Sequence, residues 1–531
     1  MTFPRALPVG DAALALELGD TLDPRTSARV RALDLVLAHA PFDGFRESVP
    51  THRSLLVLYD ATVARFSSVA RILLSLAASP APPPPPGRLH EIPVVYGGDD
   101  GPDLEALARE RGLSAREAVR LHSCSEYTAF MLGFTPGFPY LGLLPEALQC
   151  PRRATPRVRV PAGSVAVAGR QTGVYPVASP GGWRILGRTS LRLFDPLRDE
   201  PALVSPGDRV RFVPVAELPP PETALPAPLP SGVPVVEVLE PGLLTTVQDA
   251  GRIGRRRAGV SVAGSMDAHA HAAANRAVGN PPGAAALECT ATGPALVFLA
   301  PRRFALAGAD LGAVLERADL GLWPVPLGAG VFARPGNVLR FTGRRSGCRA
   351  YLALHGGIDV PAVLGSRATD LASAFGGFAG RALAASDRLA VLPATGEGLS
   401  PRESPPPERP AASVTVRVVL GPQADHFDAG AIERFLSTSW RVGATSDRVG
   451  CRLEGEPLRH LGPSEILSDG MVPGSVQVPP DGQPIVMAAD GPTTGGYPKI
   501  ATVLTADLPL LAQLVPGEGE VRFEAVPAEG P

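Results

Sequence analysis

The chain has 531 residues, 45% of them apolar, and its 50 Lys+Arg against 52 Asp+Glu give a formal net charge of -2. That length allows about three to five domains of ordinary size. The charge balance gives no electrostatic reason to expect a nucleic acid or an anionic membrane as a partner. No run of about 18 apolar residues is present to span a bilayer as a helix. Five cysteines, an odd number without CxxC spacing, argue against a disulfide framework and a zinc ribbon. The first twenty residues lack the basic-then-apolar layout of a signal peptide, so a cytoplasmic protein with reduced thiols is expected. The 58 Gly and 60 Pro are dispersed between short Val/Leu runs, as in a turn-rich β protein.

In chain order, residues 6–18 read as a strand, 24–40 as a helix with Val30, Leu33, Leu35, Val36 and Leu37 on one stripe, 54–60 as a buried strand and 61–79 as a second helix. This is a small α+β domain. After the Pro-rich run at 80–87, two short helices are predicted over 101–112 and 114–123, the second opened by a Ser114/Glu117 capping box. Beyond residue 125 the texture is short strands and tight turns. A second Pro-rich stretch, 218–234, separates two halves, and a third, 396–413, divides the second half. A Pro-Gly turn launching an alternating strand recurs at 206–212, 335–341 and 516–523, each time closing a β-rich block. Three similar barrels are expected from it.

One count bears on chemistry. A single basic residue is lysine, Lys499, leaving 49 arginines. Lys499 is followed by Ile500, which excludes a phosphate-binding P-loop. A biotinyl Lys between two Met residues is also absent. The segment 488–500 places Lys499 with Asp490, Thr494, Gly495, Gly496 and Tyr497, a combination suited to an anion or phosphoryl group. Gln477 lies just upstream, and Arg448 beside Asp447 would pair or bind a charged substrate. The loop at 133–145 carries three Gly, three Pro and three aromatics and reads as a rigid pocket wall or an ordinary structural loop. Gln171 and Tyr175 sit among the glycines of 159–189, beside backbone able to bind an amide-like ligand. His122 would move a proton, although a lone histidine is more often a structural hydrogen-bonder. The arginine run at 255–257 reads as a solvated turn in preference to a clamp for an anion. His269 and His271, two apart on a helix, cannot form an i,i+4 metal pair, and no metal site is expected.

These segments resemble known families. GFTPGFPYLGLLP, PRRATPRVRVPAGSVAVAG, QTGVYP and SPGGWRILGRT resemble the family of 5-oxoprolinase B subunits, also called the kinase A inhibitor or allophanate hydrolase subunit 1 family. PGLLTTVQDAGR, SGCRAYLALHGGIDVP, SDRVGCRLEG, VQVPPDGQPIV and TTGGYPKIATV resemble the matching C subunits, the biotin-dependent carboxyltransferase-like family. The resemblance implies a B–C fusion that is mainly β: an α+β domain at 1–85, a cyclophilin-like barrel at 88–217, a linker at 218–234, and two more barrel lobes at 235–395 and 412–528. It also implies ATP-dependent opening of 5-oxoproline to glutamate together with a separate A-type partner protein, with ATP and Mg2+ as cofactors. Self-association is left open. In that scheme Lys499 would neutralise developing charge and Asp490 or His122 would handle a proton or hold water. Tyr497 and Gln477 would orient the amide, with Arg448, Gln171, Tyr175 and Thr494 binding substrate and Gly495 and Gly496 cradling the cofactor. The alternatives are a carboxyltransferase component of a biotin-dependent, urea carboxylase-like system, or a non-enzymatic inhibitor of a histidine kinase.

Overall fold

The computed structural model describes residues 2–79, 83–221, 232–393 and 411–529. Most of the predicted 218–234 linker and of the 396–413 stretch, and part of the 80–87 run, lie outside the described residues.

The N-terminal lobe is a four-stranded antiparallel sheet in the order Arg5–Pro8, Ala13–Glu17, Ser54–Tyr59, Phe45–Pro50. The segment 6–18, expected as one strand, is a hairpin turned at Gly10. Helix Pro24–His39 starts where the Asp23 carboxylate accepts the Thr26 N–H at 2.9 Å and proline fills the first turn. It buries Val30, Leu33 and Leu37 on one sheet face, and helix Phe66–Ala78 adds Val69 and Leu73. The other face sets Val9, Ala13, Ala15, Val49 and Leu56 against Val472 of the C-terminal lobe. Burial on both faces explains why the central strands read as continuous apolar runs.

The next lobe is a closed barrel of seven strands, Leu89–Tyr96, Glu126–Leu132, Pro139–Gly142, Ser164–Ala168, Gln171–Val174, Arg184–Arg188 and Arg209–Pro214. Helices Leu104–Glu110 and Ala115–Ser123 contribute Leu104, Leu107 and Ala118 to its core. Ser114 caps the second of them, accepting the Glu117 N–H as predicted. The C-terminal lobe is also a closed seven-stranded barrel, from Ser413–Leu420 to Glu520–Ala525. Both barrels close alike. Arg209–Pro214 runs parallel to Leu89–Tyr96, and Glu520–Ala525 runs parallel to Ser413–Leu420. These closing strands follow the first and third Pro-Gly repeats.

The middle lobe is built from a seven-stranded and a five-stranded sheet over a shared core that includes Leu287, Phe298, Phe304 and Leu352. The strand after the second repeat, Val338–Phe341, lies antiparallel between Ala295–Phe298 and Ala313–Arg317. The chain is thus mainly β, with three β lobes of which two close into barrels. Among the described residues no helix is long and apolar enough to cross a membrane.

The arginine run at 255–257 is not a solvated turn. Arg256 is buried, its Nε 3.1 Å from Glu47, and Arg257 reaches Asp34 at 2.7 Å. Both carboxylates belong to the N-terminal lobe, so the run fastens the two halves together.

Candidate functional site

The two motif loops singled out by the sequence, 133–145 and 488–500, meet face to face. On the C-terminal barrel, Thr494–Gly495 pairs with Asp469–Gly470 as a two-stranded arm. Met471 N–H donates to Thr493 O at 2.9 Å, and Ile466 N–H to Gly496 O at 2.9 Å. The Gln477 amide fills the space beside Gly495, where a Cβ would stand 2.1 Å from Nε2. From the first barrel, Phe134 N–H donates to Thr494 Oγ1 at 3.0 Å. Gly133 permits that approach, since a Cβ there would lie 2.1 Å from the same oxygen. The Tyr140 hydroxyl lies near Thr494 and Ser468, and burial raises its pKa.

The N-terminal lobe supplies a third wall. His52, in the turn between Phe45–Pro50 and Ser54–Tyr59, is fully buried and stacks edge-on against Phe130 and Tyr140, each at 5.7 Å. Its Nε2 is 3.2 Å from the Gln171 amide nitrogen, and its Nδ1 has no partner among the described residues. Burial pushes its pKa down to about 3, so the imidazole is neutral. Nothing in the local sequence marks His52, because its neighbours come from the other lobes. At the rim, Arg152 lies 3.6 Å from Glu465 and beside Gly496, and Tyr497 is half-buried.

Lys499 sits at the start of barrel strand Lys499–Val503 with no exposed surface. Its ammonium pairs with Asp469. Gln423 braces the pair, donating to Asp469 at 2.9 Å and accepting the Lys499 N–H at 3.2 Å. The one lysine therefore faces a carboxylate rather than a ligand.

Three other expected residues stand elsewhere. His122 is inside the first barrel, 2.7 Å from the Tyr96 hydroxyl and 2.9 Å from Thr172, and stacked on Phe212. Burial holds its pKa at about 3. Asp490 and Arg448 face each other in a buried cluster between the middle and C-terminal lobes. Arg448 donates to Asp490 at 2.9 and 2.7 Å and to Glu288 at 2.5 Å. Burial lifts the Asp490 carboxyl to about 6 against the pull of Arg448. Tyr175 packs with Phe134, Phe138, Tyr140 and Trp183 in an aromatic cluster, which backs the junction instead of lining an open pocket.

The structure thus brings Gln171, Thr494, Gly495, Gly496, Gln477, Tyr497 and Lys499 together and leaves His122, Asp490 and Arg448 apart. The junction offers the amides of Gln171 and Gln477, the hydroxyls of Tyr140, Ser468, Thr494 and Tyr497, and a neutral imidazole around a rim arginine. That donor set suits a small, neutral amide with an acidic group at its edge.

Known proteins share these domains. A carboxyltransferase-domain family model, subdomain C and D, matches residues 4–204, and another, subdomain A and B, matches residues 258–525. Over 210 residues the chain is 47% identical to the 5-oxoprolinase B subunit of Escherichia coli O157:H7, covering 39% of this chain and 95% of that protein. Over 290 residues it is 39% identical to the 5-oxoprolinase C subunit of Escherichia coli K12, covering 54% of this chain and 89% of that protein. The crystal structure of TTHA0988 superposes with a TM-score of 0.84 and 38% identity, covering 97% of this chain and 100% of that one. The crystal structure of Kluyveromyces lactis urea amidolyase is matched at 32% identity and a TM-score of 0.52, over 56% of this chain and 19% of that one. Fold and matched domains define a carboxyltransferase-domain protein in which C/D precedes A/B. The chain belongs to the family of the 5-oxoprolinase B and C subunits, with a B-type half followed by a C-type half in one polypeptide.

Proposed function

We propose that the chain is the B–C component of an ATP-dependent 5-oxoprolinase, converting 5-oxo-L-proline, ATP and water to L-glutamate, ADP and phosphate with a separate A-type partner protein. The observation that carries this reading is the junction itself. Its walls come from both the B-type and the C-type half, so neither half has a complete one. In this reading Gln171, Tyr140 and Thr494 orient the lactam amide, and Arg152 meets the ring carboxylate. The three packed lobes limit water around the amide, and fixed dipoles take up charge as it develops.

The junction does not fit ATP with Mg2+. Lys499 is spent on Asp469, and the space over Gly495 is filled by Gln477 and Met471. Among the described residues no group of three or more His, Cys, Asp or Glu is placed to hold a metal ion. We assign the nucleotide to the complex with the A-type partner.

The likeness to urea amidolyase supports a second reading, a carboxyltransferase component acting on a urea-type substrate. One experiment separates the two. The full chain is co-expressed with an A-type partner protein, and ATP-dependent phosphate and glutamate release are measured with 5-oxoproline, urea and allophanate. Turnover of 5-oxoproline only when both proteins are present is expected. Turnover of urea without turnover of 5-oxoproline would overturn the proposal.

A further inference from the structure

A cavity of about 770 Å3 lies where the N-terminal lobe, the middle lobe and the C-terminal barrel meet, and it shares no lining residue with the junction above. Its volume is that of a small-molecule site rather than of a packing defect. Val262, Met266, Val442, Val486, Leu511 and Leu514 give it mostly apolar walls. Among the described residues, two buried donor atoms on those walls lack hydrogen-bond partners. The buried Tyr59 hydroxyl, from the N-terminal lobe, makes no hydrogen bond to a described residue. Arg349, from the middle lobe, is 5% exposed and donates from Nη1 to Ala512 O, while its Nε is unsatisfied. Among the described residues the carboxylate paired with Arg349 is Glu288 at 3.9 Å, too far for a hydrogen bond and already engaged by Arg448 and Tyr351. A buried guanidinium and a phenol left short of acceptors are costly unless something supplies them.

The acidic groups on the wall are already engaged. Asp60 accepts from Thr62 and pairs with Arg46, Asp11 accepts from Thr505, and Asp447 accepts from Val449 and Gly450. His271 is buried and held neutral.

We propose that this cavity binds a small amphipathic carboxylic acid, its apolar body against the three lobes and its carboxylate on Arg349, with the Tyr59 hydroxyl as a second donor. The proposal is independent of the 5-oxoprolinase reading, and its test uses binding alone. The fluorescent probe 8-anilinonaphthalene-1-sulfonate is titrated into the folded full-length chain and then displaced with octanoate or with octan-1-ol. One saturable site is expected, with octanoate displacing the probe at a roughly tenfold lower concentration than the alcohol, the ratio a charge-assisted hydrogen bond confers. Ala272→Trp, which fills the cavity from its helix, abolishes the probe signal while thermal unfolding stays cooperative. Val262→Trp serves the same purpose if the first variant does not fold. Arg349→Met removes the preference for octanoate. No saturable binding, equal displacement by acid and alcohol, or full binding by a folded cavity-filling variant would each overturn the proposal.

Discussion

The backbone N–H of Phe134 is bonded to the side-chain oxygen of Thr494 at 3.0 Å, joining loops 360 residues apart. Phe134 holds this position with φ of +66°, a left-handed conformation that costs a bulky residue of order 1–3 kcal/mol. Thr494 on one side and the Phe138 and Tyr175 rings on the other keep it there. Thr494→Val keeps the shape and removes the acceptor. We expect it to lower stability by about 1–3 kcal/mol, with Thr494→Ser close to wild type. Urea unfolding measures both, and a Val variant as stable as wild type would show the bond to be idle.

Lys499 and Asp469 form a fully enclosed pair, so the lysine's first effect is on folding. Lys499→Met leaves Asp469 buried without its cation, a loss of about 3–5 kcal/mol. Replacing both, as Lys499→Met with Asp469→Leu, recovers much of it, because the uncompensated charge is gone. Lys499→Arg also destabilises, since a wide guanidinium has no room where the ammonium has no exposed surface. A lysine acting on a ligand alone would change substrate affinity and leave the unfolding midpoint where it was.

Stability should fall steeply in acid. His52 and His122 have folded pKa values of about 3, against the ordinary 6.5. Below pH 6.5 the unfolded chain takes up protons that the folded chain refuses. The contribution of each imidazole is therefore fully present above that pH and is lost as pH falls toward 3. At pH about 5 the loss is about 2 kcal/mol for each. Urea unfolding from pH about 7.5 to about 4.5 reports the slope. His122→Gln should reduce it by about one proton, and an unchanged slope would mean that other groups set the acid limit.

Much of the lobe plan could be read from the Pro-Gly repeats, because a Pro-Gly turn and an alternating strand are local features. Which neighbours the strand takes is not local. The repeats before Arg209–Pro214 and Glu520–Ala525 close barrels, while the one before Val338–Phe341 feeds an open sheet. The same division holds at the site. Gln171 and Thr494 stood out as polar groups among glycines, and they do meet at one junction. The rarity of Lys499 was visible, but its partner Asp469, 30 residues upstream, carries no mark in the sequence. Asp490 and Arg448, read as ligand-facing charges, satisfy each other across 42 residues. Sequence shows that a charge is present, and only the fold shows what neutralises it.

The two halves should stay together after the chain between them is cut. The Pro-rich composition of 218–234 makes it the expected first site of limited proteolysis. Composition alone predicts two separable units, but the contacts between them predict otherwise. Arg256 and Glu47 are both buried, and Arg257 pairs with Asp34. Asp11 accepts two hydrogen bonds from Thr505 at 3.0 Å. An apolar face of the N-terminal sheet is covered by Val472. Salt screens exposed charges but reaches a buried pair poorly, so the association should survive about 1 M NaCl. The nicked protein should elute as one species near 55.0 kDa and separate only in denaturant. Light scattering on the eluting peak decides the matter: two peaks in native buffer would mean that these contacts are too weak to hold the halves, and Glu47→Gln should then change nothing. If the contacts do hold, Glu47→Gln leaves the Arg256 charge unpaired and makes the nicked protein fall apart at lower denaturant than wild type.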